Sequence, residues 1–284
     1  MRYNKVIIER KIREFLEEDC SFDDVSSKFI SNDSKITAKI ICKNSGYVSG
    51  LEEIELLFNI LGVEIEIKKD DGEKVLKGDI IAIINGYPRE ILLGERVALN
   101  ILTHMSALTT STRYYLEIID KAAKKTKIAC TRKTLPGLRI FEKKAVEMGG
   151  GDTHRFSLDD MILLKDTHLR YYNGDIKRLL DDVNENASFS KKIEIEVENA
   201  NDALIAAQKG ADIIMLDNMS PKKVKEAISL LKAHNLREKV IIEISGGINI
   251  ENIISYVECE PDIISTSEIT QFPPKQVDFS LRFV

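Results

Sequence analysis

From Lys127 onward, short apolar runs alternate with amphipathic helical segments, and this pattern limits the folds open to the chain. The runs are "KIAC" (127–130), "MILLK" (161–165), "KIEIEVE" (192–198), "DIIMLD" (212–217), "VIIEIS" (240–245) and "DIISTS" (262–267). Between them "EKKAVEMG", "IKRLLDDV", "ANDALIAAQKG", "SPKKVKEAISLLKAHN" and "NIENIISYVE" carry helical periodicity. Near-continuous apolar strands separated by helices predict a parallel sheet covered by helices. Neither G-x-G-x-x-G nor G-x-x-x-x-G-K occurs, so a closed or nearly closed β/α barrel fits better than an open nucleotide-binding sheet. A seventh strand is possible near "GGGDTHRF" (149–156).

The first hundred residues have a different texture. "VIIERKIREFLEED" and "LEEIELLFNILG" read as amphipathic helices, the second stopped by Gly62. "SKITAKIICKN" alternates as a strand does, and "VEIEIKKDDGEKVLKGDIIAIING" reads as strands joined at a "DDG" turn. The stretch from Ile91 to Lys125 is helical, as one helix or two. "QVDFSLRFV" alternates again at the end. The fold class expected is therefore α/β. An α/β domain over 1–105 is rejoined by a strand within 274–284, and a β/α barrel spans 106–273.

Bulk charge excludes one class of partner. With 41 basic and 46 acidic residues the net charge is −5, whereas nucleic-acid binders usually carry a basic surplus or stripe. No apolar run approaches a membrane span, and the charged N-terminal stretch lacks a signal-peptide core. Cys20, Cys42, Cys130 and Cys259 are scattered without a C-x-x-C, as expected of reduced cytoplasmic thiols.

Barrel chemistry sits at the carboxyl ends of the strands, and polar residues close almost every run. They are Arg132 and Lys133; Lys165; Glu194, Glu196 and Glu198; Asp217 and Asn218; Ser245, Gly246 and Gly247; and Ser265, Thr266 and Ser267. His154 and Arg155 lie between the first two runs. Glu194 and Glu198 share the parity of Glu196, so spacing does not choose among them. His104 and His234 read as structural or surface residues. Arg132, Lys133, Arg155, Lys165 and Arg139 would crowd one rim. Like charges in contact repel by about 1 kcal/mol per pair even in water, so the rim is expected to tolerate them only when an anion joins. Glu196 and Asp217 suit Mg²⁺ or sugar hydroxyls. The "SGG" and "STS" loops can offer N–H groups to a phosphate.

"GERVALN", "TRKTLPGLR", "EKKAVEMGGGDTHRFSLDDMILLKDTHL", "IEIEVEN", "GADIIMLDNMSP" and "ISGGIN" together resemble the quinolinate phosphoribosyltransferases, from about Glu17 to the C-terminus. The resemblance implies an N-terminal α/β sandwich domain, an incomplete, open β/α barrel, and a cytoplasmic homodimer or higher assembly with shared sites. The implied reaction joins quinolinate to phosphoribosyl pyrophosphate with Mg²⁺, giving nicotinate mononucleotide, pyrophosphate and carbon dioxide for NAD biosynthesis. Arg132, His154 and Arg155 would hold the quinolinate carboxylates, with Arg96 arriving from the partner subunit. Lys133 and Lys165 would bind anionic groups and act in catalysis. Glu196 and Asp217 would contact the ribose and the Mg²⁺ shell, partly through water or substrate. Ser245, Gly246, Gly247 and Ser267 would cradle the 5′-phosphate.

The chain departs from many such sequences at Ser267 (Gly), Gln271 (His), Cys130 (Asp) and Thr167 (Asn), and in "SALTT" at 106–110. "ACTRK" and "TS" also resemble the pyrophosphorylase-like proteins associated with molybdate transport. Two further alternatives are a Schiff-base lyase using Lys165 and a non-catalytic anion-binding protein.

Overall fold

A computed structural model describes residues 3–122 and 125–284. In chain order the elements begin with α1 (Lys5–Asp19), β1 (Ile36–Cys42), β2 (Gly46–Tyr47), α2 (Leu51–Ile60), β3 (Glu64–Ile67), β4 (Lys74–Val75) and β5 (Ile80–Gly86). Next come α3 (Pro88–Lys121), β6 (Lys127–Ala129), α4 (Arg139–Met148), β7 (Ile162–Leu164), α5 (Asp166–Tyr171) and α6 (Ile176–Asn186). Then follow β8 (Ile193–Val197), α7 (Ala200–Gln208), β9 (Ile213–Asp217), α8 (Pro221–Ala233) and β10 (Ile241–Ser245). The last are α9 (Ile253–Val257), β11 (Ile263–Ser265), α10 (Glu268–Gln271) and β12 (Phe279–Phe283).

The chain divides into two compact units: 1–113 with 135–150 and 273–284, and 114–134 with 151–272. The expected boundary at 105/106 differs from this division, chiefly because α4 belongs to the first unit. The reason is packing: Phe141 and Ala145 of α4 are buried in the same apolar core as Phe58, Leu102 and Met105. Arg139 opens this helix, so it too is counted in the first unit.

In the first unit an antiparallel sheet runs β12-β1-β5-β3. The alternation read in "SKITAKIICKN" buries Ala38, Ile40 and Cys42 on one face. β12 pairs with β1, Cys42 opposite Phe279, as the returning strand requires. The helical stretch after Pro88 is a single helix of 34 residues. Gly94 lets it approach α2, since a Cβ there would lie 2.8 Å from Leu57 Cδ2.

The second unit holds all six expected strands in one parallel sheet, ordered β6-β11-β10-β9-β8-β7. The possible seventh strand reduces to one bridge, Asp152 beside Ala129. The strands are apolar because both faces are covered: Ile214, Ile242, Ile244 and Ile264 are fully buried on one face, and Ile213, Met215 and Glu243 are buried on the other. Asn199 and Ser220 cap α7 and α8 by accepting N–H groups of Asp202 and Lys223. Those caps fix where β8 and β9 give way to helix, and so where the side chains at their ends point. Among the described residues no helix is long and apolar enough to cross a membrane.

Candidate active site

Strand parity organises the site. Glu194 and Glu196 of β8, Asp217 of β9, Glu243 and Ser245 of β10 and Ser265 of β11 alternate onto one face of their strands. Ser245 lies opposite Asp217 in register. The carboxyl ends of neighbouring strands therefore present a carboxylate and then a hydroxyl, side by side.

One cavity of about 410 Å³ is lined by Lys133, Ser245, Gly246, Gly247 and Ser267, which were expected together, and also by Thr131. The turn after β10 needs glycine. Gly246 has φ +90°, and a Cβ there would fall 2.4 Å from Asn218 Oδ1. Asn218 N–H donates to Ser245 O at 3.0 Å, fastening the ends of β9 and β10. The Ser265 hydroxyl, which also lines the cavity, is buried with no hydrogen-bond partner among the described residues. Glu268 lines it too, but its carboxylate accepts the Tyr115 hydroxyl and the Ile250 N–H.

Glu196, Asp217, Asn218 and Asp166 line a second cavity of about 490 Å³. Asp217 accepts from Asn218 Nδ2 at 2.8 Å. Lys165 Nζ donates to Glu196 Oε1. Burial raises the Glu196 pKa, Lys165 opposes the rise, and Asp217 adds to it. Glu198 is exposed, so burial separates three glutamates that spacing left equivalent.

Arg155 is 7 % exposed. Burial and the neighbouring Arg132 lower its pKa, whereas Glu194 and Glu196 favour its charge. Arg132 Nε is buried with no hydrogen-bond partner among the described residues. The expectation that an arriving anion alone relieves the crowded cations is thus corrected. The chain's own Glu196 pairs with Lys165, and Glu194 steadies Arg155.

His154 lies deeper than a rim residue. Its Nε2 is 3.2 Å from Glu243 Oε2 and 3.4 Å from Glu194 Oε2. Burial disfavours a charge on the ring, yet the two carboxylates outweigh it and raise the imidazole pKa to about 10. The Arg155 N–H, however, donates to Nδ1 at 2.7 Å, a contact that a proton on Nδ1 would oppose. The contact decides for a ring protonated on Nε2. Burial also pushes the Glu194 carboxyl up, with His154 opposing. Glu243 escaped the sequence reading, although a carboxylate in the middle of "VIIEIS" was its signal. Arg96 is exposed on α3, in the first unit. His104 contacts Glu142 at 3.0 Å, and His234 contacts the Leu230 carbonyl at 2.9 Å; both are structural.

An open β/α barrel with cations, carboxylates and a glycine–serine turn at its strand ends suits an enzyme acting on anionic, phosphorylated substrates. Residues 23–106 match the quinolinate phosphoribosyl transferase N-terminal domain, and residues 108–282 match the C-terminal domain. The chain belongs to the quinolinate phosphoribosyl transferase family, whose enzymes are pentosyltransferases. It is 43% identical over 247 residues to a probable nicotinate-nucleotide pyrophosphorylase [carboxylating] of Archaeoglobus fulgidus, covering 87% of this chain and 94% of that one. It is 37% identical to the nicotinate-nucleotide pyrophosphorylase [carboxylating] of Dictyostelium discoideum, covering 98% and 96%. The solved nicotinate-nucleotide pyrophosphorylase of Francisella tularensis superposes with a TM-score of 0.91 at 32% identity, covering 100% of this chain and 98% of that one. A NadC deletion mutant superposes at 0.92 with 34% identity, covering 99% and 98%.

Proposed function

We propose that the chain transfers the phosphoribosyl group of phosphoribosyl pyrophosphate to quinolinate and decarboxylates the adduct, yielding nicotinate mononucleotide, pyrophosphate and carbon dioxide. The pyridine nitrogen donates its electron pair to the anomeric carbon as the bond to pyrophosphate breaks and that pair departs with the leaving group. The ring-to-carboxylate bond at the adjacent carbon then breaks and carbon dioxide leaves. The remaining pair, steadied by the neighbouring pyridinium, takes up one proton. The protein's tasks are charge stabilisation and alignment.

The roles are assigned from the family motifs and are compatible with the residues' positions. Arg132, His154 and Arg155 take the quinolinate carboxylates, for which planar guanidinium forks are suited. Arg96 joins them from a partner subunit in a homodimer. Lys133 and Lys165 hold anionic groups and offset charge during transfer. Ser245, Gly246, Gly247 and Ser267 take the 5′-phosphate. Glu196 and Asp217 contact the ribose hydroxyls. These two carboxylates line one cavity and fit Mg²⁺, which usually takes one or two carboxylates beside water and phosphate oxygens; when bound it would neutralise charge on the pyrophosphate. The reaction is placed in the cytoplasm, consistent with four unbridged cysteines. Lys165 is not read as a Schiff-base nucleophile, because its Nζ is engaged in an ion pair with Glu196.

The observation that carries the reading is Lys133 lining one cavity with the glycine–serine loops, in the same unit as the Glu196–Asp217 edge. Purified protein given quinolinate, phosphoribosyl pyrophosphate and Mg²⁺ is expected to release pyrophosphate and nicotinate mononucleotide. Nicotinate in place of quinolinate is expected to give no turnover. Absence of product with quinolinate, beside an active control enzyme, would refute the reading. Tight binding of both ligands without turnover would indicate an anion-binding protein instead.

A further inference from the structure

Glu194 and Glu243 are fully buried at mid-strand, and none of their four carboxylate oxygens meets a hydrogen-bond donor at good geometry among the described residues. Both face the His154 ring, whose Nε2 lies 3.4 and 3.2 Å away. Burying two carboxylates is costly, and residues of similar volume without charge would pack as well. Such a pair is explained if its target needs it.

The target has unusual geometry. His154 adopts φ +52°, a left-handed conformation uncommon for residues other than glycine. Its own N–H donates to Asp152 Oδ1 at 2.7 Å, and its Nδ1 accepts the Arg155 N–H at 2.7 Å. The imidazole therefore bridges the barrel interior to the backbone of Arg155. Arg155 in turn is buried, with Nη1 3.4 Å from the Met161 carbonyl. Fixing the ring fixes the point from which that guanidinium projects.

We propose that Glu194 and Glu243 are positioning residues that hold His154 by Nε2 and, through Nδ1, set the backbone from which Arg155 reaches the anionic substrate. A divalent cation held by the same three side chains is the competing occupant, since their ligand atoms lie within 4.8 Å of one another. It is disfavoured because metal ligation by Nε2 would place the ring proton on Nδ1, against the Arg155 N–H.

The proposal rests on the quinolinate reading above, and the test separates the two. Glu243→Leu removes an acceptor, and Glu243→Gln keeps one. Glu243→Leu is expected to raise the quinolinate KM roughly tenfold, the scale of losing one buried polar contact to the ring. The KM for phosphoribosyl pyrophosphate should stay within about twofold, and Glu243→Gln should recover most of the loss. Arg155→Ala serves as the control. If it raises the quinolinate KM while a folded Glu243→Leu does not, the positioning role is refuted and the site reading stands. If neither raises it, the site reading itself has failed. An equal rise in both KM values would mark general loosening and refute the role. Should Glu243→Leu not fold, ¹⁵N spectra of the wild-type ring decide. A bare Nδ1 with a proton on Nε2 is expected, and a proton on Nδ1 severs the link to Arg155. A stoichiometric divalent ion retained by wild-type protein after dialysis and lost from Glu243→Gln would also overturn the proposal.

Discussion

Gly246 shows how narrowly single residues are constrained here. Its φ of +90° and the Asn218 Oδ1 that a Cβ would meet at 2.4 Å leave no room for a side chain. Gly246→Ala is expected to cost about 1–3 kcal/mol of stability, typical of a residue forced into a sparsely populated backbone region. If the turn cradles a phosphate, the KM for phosphoribosyl pyrophosphate should rise and that for quinolinate should not; steady-state kinetics and thermal melts check both. The residues that close the strands were legible because a two-residue period places them on one face, and motif resemblance then chose Glu196. What the sequence hid was depth. Glu194 and Glu196 differ by one repeat of that period, yet only Glu194 is sealed beneath His154. Burial depends on what covers the strand end, and that is decided by residues forty positions earlier.

Between elements, the join of α2 to α4 is ionic as well as apolar. Lys144 Nζ lies 2.6 Å from Glu52 Oε2 and 2.8 Å from the fully buried Glu53 Oε1. Burial opposes the Lys144 charge, but Glu53 and Glu52 outweigh it and raise its pKa above 10.5; burial likewise raises that of Glu53. Lys144→Met strands a buried carboxylate and should destabilise by about 3–5 kcal/mol, and adding Glu53→Leu should restore much of the loss. A lysine whose folded pKa exceeds its unfolded value stabilises fully below the unfolded value and ceases to do so as pH climbs through the folded one. The stability gap between wild type and Lys144→Met should therefore hold from about pH 7 to about pH 10 and narrow above that. Denaturant unfolding across pH measures it. The sequence marked α4 as a helix but tied it to the barrel, because periodicity shows which face is apolar without showing which core receives it. α3 likewise reads as one helix or two, since its small and polar residues, Ser106, Thr109, Ser111 and Thr112, are all buried and mimic a break.

At the scale of the molecule, the exposed Arg96 makes the proposed sharing of sites testable. Arg96→Ala and Glu196→Ala proteins should each be inactive. Unfolding and refolding them together should return about a quarter of wild-type activity, because half of the two-fold pairs are mixed and each mixed pair keeps one intact site. No recovery in verified mixed pairs would mean that Arg96 serves its own subunit or none. The barrel was legible from six apolar runs because each is a local pattern. The division into two units was less so, because it depends on contacts between distant segments.

β12 closes the edge of β1 only after the barrel residues have been made. On the ribosome, the amino-terminal sheet must therefore wait with a sticky flank while more than half the polypeptide emerges. That flank is where a chaperone would be most useful during synthesis, and where unwanted partners would most readily attach.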